Sequence, residues 1–219
     1  MHNVTVAFAA LLVMLLSYFF GCFNGSFMVS HFIIRDDVRK HGSGNAGLTN
    51  FYRTYGAKYA LGVILFDMGK TVIACLIGGA AFDYLAGDWM LGVLLGGLGC
   101  ELGHMFPVFF GFKGGKGVLV AGGAILAIQP ILLPVLTIVF LLCLVPTGMV
   151  SLGSITMAAA YPVLTLVYSF MRGLPTRDVV VCTVGAAIMG GMVIWMHRSN
   201  IQRIRDGKEY RFGQKHKSN

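Results

Sequence analysis

The chain has 219 residues, of which 56% are hydrophobic and 12% charged, with a formal net charge of +8. A soluble domain carries about a quarter charged residues, so a water-covered globule is excluded, and a mean hydropathy of +0.75 points to the bilayer. The apolar segments run without period-2 alternation, which favours helices over a barrel, the two structures that satisfy their backbone in lipid.

A membrane span needs about 20 apolar residues. The first segment runs from about Val4 to Phe32 and is interrupted by Ser17, Gly21 and Asn24-Gly25-Ser26. No basic residues precede it and no small-residue cleavage site follows its apolar core, so it reads as a retained span rather than a signal peptide. Further segments cover Tyr59 to Phe82, Trp89 to Met105, Val118 to Ile128, Ile131 to Val145, Ile155 to Phe170 and Val179 to Met196. The expectation is an all-α fold: a polytopic transmembrane helical bundle of about seven spans. It is read as a single domain over residues 1–219, with a polar tail from residue 205 whose stretch Asp206 to Asn219 is expected to fray.

Charge gives the orientation. Arg35, Arg39, Lys40, Arg53 and Lys58 follow the first span, Lys113 and Lys116 the third, and Arg198, Arg203, Arg205, Lys208, Arg211, Lys215 and Lys217 the last. The opposite loops hold Asp83, Asp88 and Asp178 with only Arg172 and Arg177. The positive-inside rule therefore places the N-terminus outside and the C-terminus in the cytoplasm. The basic excess is a topology and lipid-headgroup signal rather than a nucleic-acid footprint. The cysteines (Cys22, Cys75, Cys100, Cys143, Cys182) lie in apolar stretches without C-x-x-C pairing and read as small packing residues. Gly92/Gly96 and Gly99/Gly103 stand at the spacing that lets helices approach closely in lipid.

Four polar blocks lie at the cytoplasmic boundary. In the first, His41-Gly42-Ser43-Gly44-Asn45-Ala46-Gly47-Leu48-Thr49-Asn50, closed by Arg53, small residues let successive amides turn toward one anion. Hydroxyls add donors there, and Arg53 suits bidentate contact with phosphate. The second runs from Gly103-His104-Met105-Phe106-Pro107 to Phe112-Lys113-Gly114-Gly115-Lys116-Gly117. It lacks the Ser or Thr of a true phosphate loop, yet puts two lysines in a glycine frame at a helix entrance. The third is Ser151 with Ser154, at the inner end of the fifth span, where capping and substrate contact are both open. The fourth is His197-Arg198-Ser199-Asn200, whose His197 and Asn200 share one helical face. Asp67 and Lys70, at i and i+3 within a span, read as a structural ion pair, and Glu101 as a partner for His104. His31 through Asp36 spells H-x-x-x-x-D, a pattern of many glycerolipid acyltransferases, but it straddles a helix end and reads as chance.

With these blocks in this order, the chain resembles the bacterial acyl-phosphate:glycerol-3-phosphate acyltransferases, the PlsY family, over nearly its whole length. The resemblance rests on Gly42 to Asn50 with Arg53, on Gly103-His104 through Pro107 to Gly117, on Val150-Ser151-Leu152-Gly153-Ser154, and on His197 to Ile201. Departures are Thr71, where the family's D-x-x-K-G has glycine, together with Leu119 and Glu101.

The resemblance implies acyl transfer from acyl phosphate to the sn-1 hydroxyl of glycerol 3-phosphate, giving lysophosphatidate and phosphate at the inner face of the bacterial cytoplasmic membrane. It implies no cofactor and no metal, and a functional link to a soluble enzyme that forms acyl phosphate. Ser43, Arg53, Lys116, His197 and Asn200 are the implied catalytic residues. Gly44, Asn45, Gly47, Thr49, Asn50, His104, Lys113, Gly114, Gly115 and Ser151 are the implied substrate contacts. The acyl-phosphate group falls to Ser43 and the amides through Thr49; Arg53, Lys116, Ser151, His197 and Asn200 gather round glycerol 3-phosphate. No carboxylate lies within the four blocks, so the hydroxyl proton leaves through His197 or through the departing phosphate, with the phosphate favoured. A transporter would show two related halves with broken helices at mid-membrane, and a CDP-alcohol phosphotransferase an aspartate cluster; neither pattern is present.

Overall fold

The computed structural model describes residues 2–212 and is all-helical among them, with no strand. Lys215 and Lys217 lie outside the described residues. The chain divides into two compact units, Met1–Pro130 and Ile131–Asn219.

The first unit holds α1 (His2–Gly21), α2 (Gly25–Met28), α3 (Leu48–Tyr55), α4 (Ala57–Ala86), α5 (Trp89–Met105) and α6 (Val118–Ile128). The first span breaks at the Asn24 cluster. Asn24 is the N-cap of α2, accepting from Phe27 N, and a six-residue π-helix, Val29–Ile34, carries the chain on. That stretch ends on Arg35 in the left-handed region (φ 61), where a new direction begins. Three helices pack closely because α5 is lined with glycine. A Cβ at Gly96 would overlap the Ala74 backbone of α4, and one at Gly99 would stand 2.6 Å from the Met14 carbonyl of α1. Gly92 likewise abuts Gly78 and Phe82 of α4, and Gly103 abuts Tyr18 of α1. The two glycine pairs thus serve different neighbours along one face of α5, Gly92/Gly96 meeting α4 and Gly99/Gly103 meeting α1.

The second unit holds α7 (Leu132–Thr147), α8 (Val150–Met171), α9 (Thr176–Met196) and α10 (Arg198–Arg205). Gly148 at φ 70 ends α7, and nothing prevents the helix from restarting at Val150. Ser151 therefore sits in the first turn of α8 and Ser154 in the second, rather than at the end of the fifth span. The tail also departs from expectation. Phe212 N donates to Gly148 O at 2.6 Å and Glu209 is buried, so residues 206–212 are anchored and do not fray.

Five stretches are long and apolar enough to cross a membrane: Asn3–Ile34, Ala57–Ala86, Trp89–Phe110, Val150–Met171 and Thr176–Met196. Val118–Ile128 and Leu132–Thr147 are shorter apolar helices. At 1.5 Å per residue, 11-residue α6 reaches about 16 Å, roughly half the hydrocarbon thickness.

Candidate functional site

The first glycine loop is built around one side chain. Asn50, buried in the first turn of α3, donates through Nδ2 to the carbonyls of Val38 (3.1 Å), His41 (3.0 Å) and Asn45 (3.0 Å). Its Oδ1 accepts from Ser43 N at 3.0 Å. Gly42 and Gly44 take positive φ of 54° and 70°, which turns the loop tightly enough for one amide to reach all four groups. Ser43 and Gly44 are left exposed at the tip, while Thr49 and Arg53 stand one turn apart on α3, with Arg53 exposed.

The loop is braced from outside by a charged cluster. Arg39 grips Asp37 (2.8 Å) and lies over the Phe27 ring at 4.5 Å. Asp36 meets His41 Nε2 at 2.7 Å and accepts from Tyr55 OH at 2.9 Å. The Asp37 amide, then the Tyr55 and His41 contacts, hold the Asp36 carboxyl below its ordinary range, while burial and then Asp36 push Tyr55 up to about 12. His31 stacks on Phe27 instead, so the H-x-x-x-x-D spacing makes no acid–base pair here.

The second glycine loop leaves α5 through a 3-10 turn at Val108–Phe110 and a left-handed Phe112 (φ 59), and ends at Gly117 (φ 83), which starts α6. Gly115 N donates to His104 O at 3.1 Å, and Gly114 and Gly115 are buried against His104 with no room for a Cβ. Lys113 is exposed and Lys116 half-buried, directly before the N-terminal amides of α6. That end of a helix favours anions. Asn45 Nδ2 donates to Gly114 O at 3.4 Å, so the two loops touch.

Beneath both loops lies a buried polar node. Lys70 Nζ pairs with Asp67 Oδ1 at 2.9 Å and donates to Gly21 O (3.1 Å) and Phe23 O (2.6 Å), two carbonyls freed by the break after α1. Asp67 Oδ1 also accepts from Gly25 N at 2.9 Å. His104 Nδ1 is 3.2 Å from Lys70 Nζ and 3.4 Å from Asn24 Nδ2, both donors, and 3.5 Å from Asp67 Oδ1. Since the two nearer neighbours are donors, Nδ1 is assigned as acceptor and the imidazole proton to Nε2, on the Gly115 side. Glu101 does not pair with His104: it is fully buried beside Gly117, and neither oxygen has a hydrogen-bond partner among the described residues. His104 turns instead toward Lys70 and Asn24.

In the second unit the node is Glu209. Its Oε1 accepts from Ser151 Oγ (2.7 Å) and Asn200 Nδ2 (2.7 Å), and its Oε2 from Arg203 Nε (2.8 Å). Burial raises the carboxyl, but the Asn200, Ser151 and Arg203 contacts outweigh it and hold Glu209 below its ordinary range. Ser151 is thus no helix cap, while Ser154 bonds the Val150 carbonyl of its own helix at 3.0 Å. His197 forms the corner between α9 and α10, with Nδ1 donating to Val193 O at 2.8 Å, which fixes the orientation of the ring.

Two residues missed in the sequence emerge here. Asn24 stood only as a helix breaker, and Glu209 was not singled out at all. Within the first unit Ser43, Gly44, Asn45, Gly47, Thr49, Asn50 and Arg53 share one loop-helix segment, in contact with the Lys113–Lys116 loop; Ser151 and Asn200 meet on Glu209 in the second.

These features define a class: a polytopic helical membrane protein whose polar residues gather in glycine-framed loops and buried nodes at helix ends. The glycerol-3-phosphate acyltransferase family profile matches residues 11–207. The glycerol-3-phosphate acyltransferase of Syntrophomonas wolfei subsp. wolfei is 39% identical over 201 residues, covering 92% of this chain and 95% of that protein. That of Finegoldia magna is 36% identical over 199 residues, covering 90% and 92%. The crystal structure of PlsY, an integral membrane glycerol 3-phosphate acyltransferase, in its glycerol 3-phosphate form superposes with a TM-score of 0.77 at 35% identity, covering 93% of this chain and 96% of that one. Its lysophosphatidic acid form gives 0.77 at 33% identity, with 93% and 95% covered. The chain belongs to the glycerol-3-phosphate acyltransferase family and is an integral membrane protein.

Proposed function

We propose that this protein is an acyl-phosphate-dependent glycerol-3-phosphate 1-O-acyltransferase of the bacterial cytoplasmic membrane. The family match from residue 11 to residue 207 carries this reading, because it spans both compact units and every polar block. The whole chain then works as one acyltransferase domain of about seven spans, N-terminus outside, with its glycine loops on the cytoplasmic side where the basic residues crowd. The membrane partner is lipid itself, and acyl phosphate is supplied by a soluble enzyme.

Acyl phosphate is an activated anhydride, so no covalent acyl-enzyme is needed. The sn-1 oxygen attacks the acyl carbonyl, a new C–O ester bond forms, and the bond from that carbon to the bridging phosphate oxygen breaks. Phosphate leaves with the electron pair and takes the hydroxyl proton. His197 Nε2, its ring held in place by the Nδ1 bond to Val193 O, orients that hydroxyl.

Two anionic head groups must come together, and cations with fixed dipoles offset their repulsion. Ser43 with the amides of Asn45 and Gly47 and the Thr49 hydroxyl hold the acyl phosphate, while the Gly44 amide braces the turn by donating to His41 O at 3.0 Å. Lys116, with Lys113, Gly114 and Gly115 behind it, and Arg53 hold the phosphate of glycerol 3-phosphate. Asn200 and Ser151, aimed by Glu209, contact the glycerol hydroxyls. Asn50 fixes the first loop from within, and His104 backs the second. One preorganised donor at a developing oxyanion is worth about 3–4 kcal/mol in well-measured enzymes, and positioning supplies a further large share.

Supplying palmitoyl phosphate or palmitoyl-CoA in parallel to the detergent-purified protein with glycerol 3-phosphate tests the donor. Lysophosphatidate should form from the acyl phosphate alone; formation only from the thioester would refute the reading.

A further inference from the structure

We propose that Asn24, Asp67 and Lys70 are positioning residues for this reaction, holding the two glycine loops at a fixed spacing so that both phosphate-bearing substrates meet one rigid frame. The inference rests on the functional reading above and deepens it.

Asn24 divides its side chain between two tasks. Its Oδ1 caps α2 through Phe27 N at 3.0 Å, a purely local repair of the broken span. Its Nδ2 instead leaves the break: it donates to Ala46 O in the first glycine loop at 2.9 Å and lies 3.4 Å from His104 Nδ1. His104 in turn holds the second loop, its carbonyl accepting from Gly115 N at 3.1 Å and its ring packing on Gly115. One amide therefore joins Ala46 of the first loop to the residue that seats Gly115 of the second.

Lys70 and Asp67 fix that amide in place. The lysine ties the carbonyls of Gly21 and Phe23, and the carboxylate ties Gly25 N, so the residues flanking Asn24 are pinned on both sides. If these groups served only to plug the broken helix, no contact from them would need to reach Ala46 or His104. Asn24, Asp67, Lys70 and His104 are all nearly or fully buried, and an interior this dry makes each hydrogen bond stiff and each lost partner costly.

The test separates capping from tethering. Asn24→Ser keeps an oxygen able to cap α2 but removes the Nδ2 donor. Its KM values for glycerol 3-phosphate and for palmitoyl phosphate should rise together, by about 10–100-fold, the scale of a misplacement near 1 Å, while the unfolding temperature stays close to that of the parent. Lys70→Met should shift the same two constants. A variant with reduced folded yield but both KM values unchanged in the surviving enzyme would overturn the inference, since a merely structural role moves only the active fraction. Should the parent fail to turn over acyl phosphate, the functional reading fails and not this one. The readout then becomes the concentration of inorganic phosphate that half-maximally raises the unfolding temperature. A tenfold weaker response in Asn24→Ser sustains the inference, and an equal response contradicts it.

Discussion

Ser151 Oγ donates to Glu209 Oε1 across 2.7 Å, joining the first turn of α8 to the segment that follows α10. The same oxygen receives the Asn200 amide, and Arg203 holds the other. A tail that reads as a polar appendage is therefore part of the frame that orients Ser151 and Asn200. Replacing Glu209 by Ala should cost about 1–3 kcal/mol for each buried donor left unpaired. Glu209→Gln, which can still accept from Ser151, should be milder in stability yet lower kcat, and thermal unfolding with paired kinetics checks both.

The same carboxylate predicts an acid limit. Its native pKa lies below the ordinary glutamate value of 4.5, so the ionised form is favoured by folding. The stability it contributes is complete above 4.5 and is lost as pH falls from there through the lowered native value. Unfolding temperature against pH should fall on the acid side in the parent, and less steeply in Glu209→Gln.

Asn50 should behave as a framework residue rather than a ligand. Its amide already serves four backbone groups, so Asn50→Ala opens the Gly42–Gly47 turn and leaves those groups to find water. Activity should drop by at least about 100-fold while α3 and α4 remain helical by circular dichroism. Near-parental KM for acyl phosphate would show that the loop does not hold that substrate.

Lys116→Ala should abolish turnover without loss of fold, and Arg53→Lys should retain charge but lose most activity, because an ammonium cannot reproduce a bidentate guanidinium contact. His197→Ala separates two routes for the proton. If phosphate accepts it, the variant keeps the parental pH dependence at reduced rate; a lost acid limb would make His197 the base.

Glycine substitutions test the close packing of the first unit. Gly99→Val places branched carbon where Met14 O would stand 2.6 Å away and Ser17 Cβ 2.9 Å away, and overpacking of this kind costs about 1–3 kcal/mol. Gly62→Ala, with nothing within 4 Å of the new Cβ, should be neutral or stabilise α4 by up to about 1 kcal/mol. Both are read from unfolding temperature in detergent.

Much of this architecture is legible from composition and spacing. Apolar runs define the long helices because lipid admits little else, and the Asn24-Gly25-Ser26 cluster marks the break in the first span because small polar residues offer the backbone other partners. The Asp67/Lys70 pair is visible for the same reason, since two charges at i and i+3 in a span must meet. What they do once paired is not visible: the carbonyls of Gly21 and Phe23 become acceptors only when α1 stops beside α4. Glu209 was hidden similarly, its role arising when the chain turns back after α10 and brings it onto α8. His104 looked like a partner for Glu101, three residues away, but turns toward Lys70 and Asn24, whose donors reach its ring from other helices.

The most direct test is stoichiometry. Purified protein is given palmitoyl phosphate with and without glycerol 3-phosphate, under chelator, while phosphate and 1-acylglycerol 3-phosphate are counted together. Equal amounts of the two products are expected, with no phosphate release when glycerol 3-phosphate is omitted. Phosphate released without the acceptor, or acyl transfer that fails under these conditions and proceeds only from a thioester, would contradict the proposed reaction.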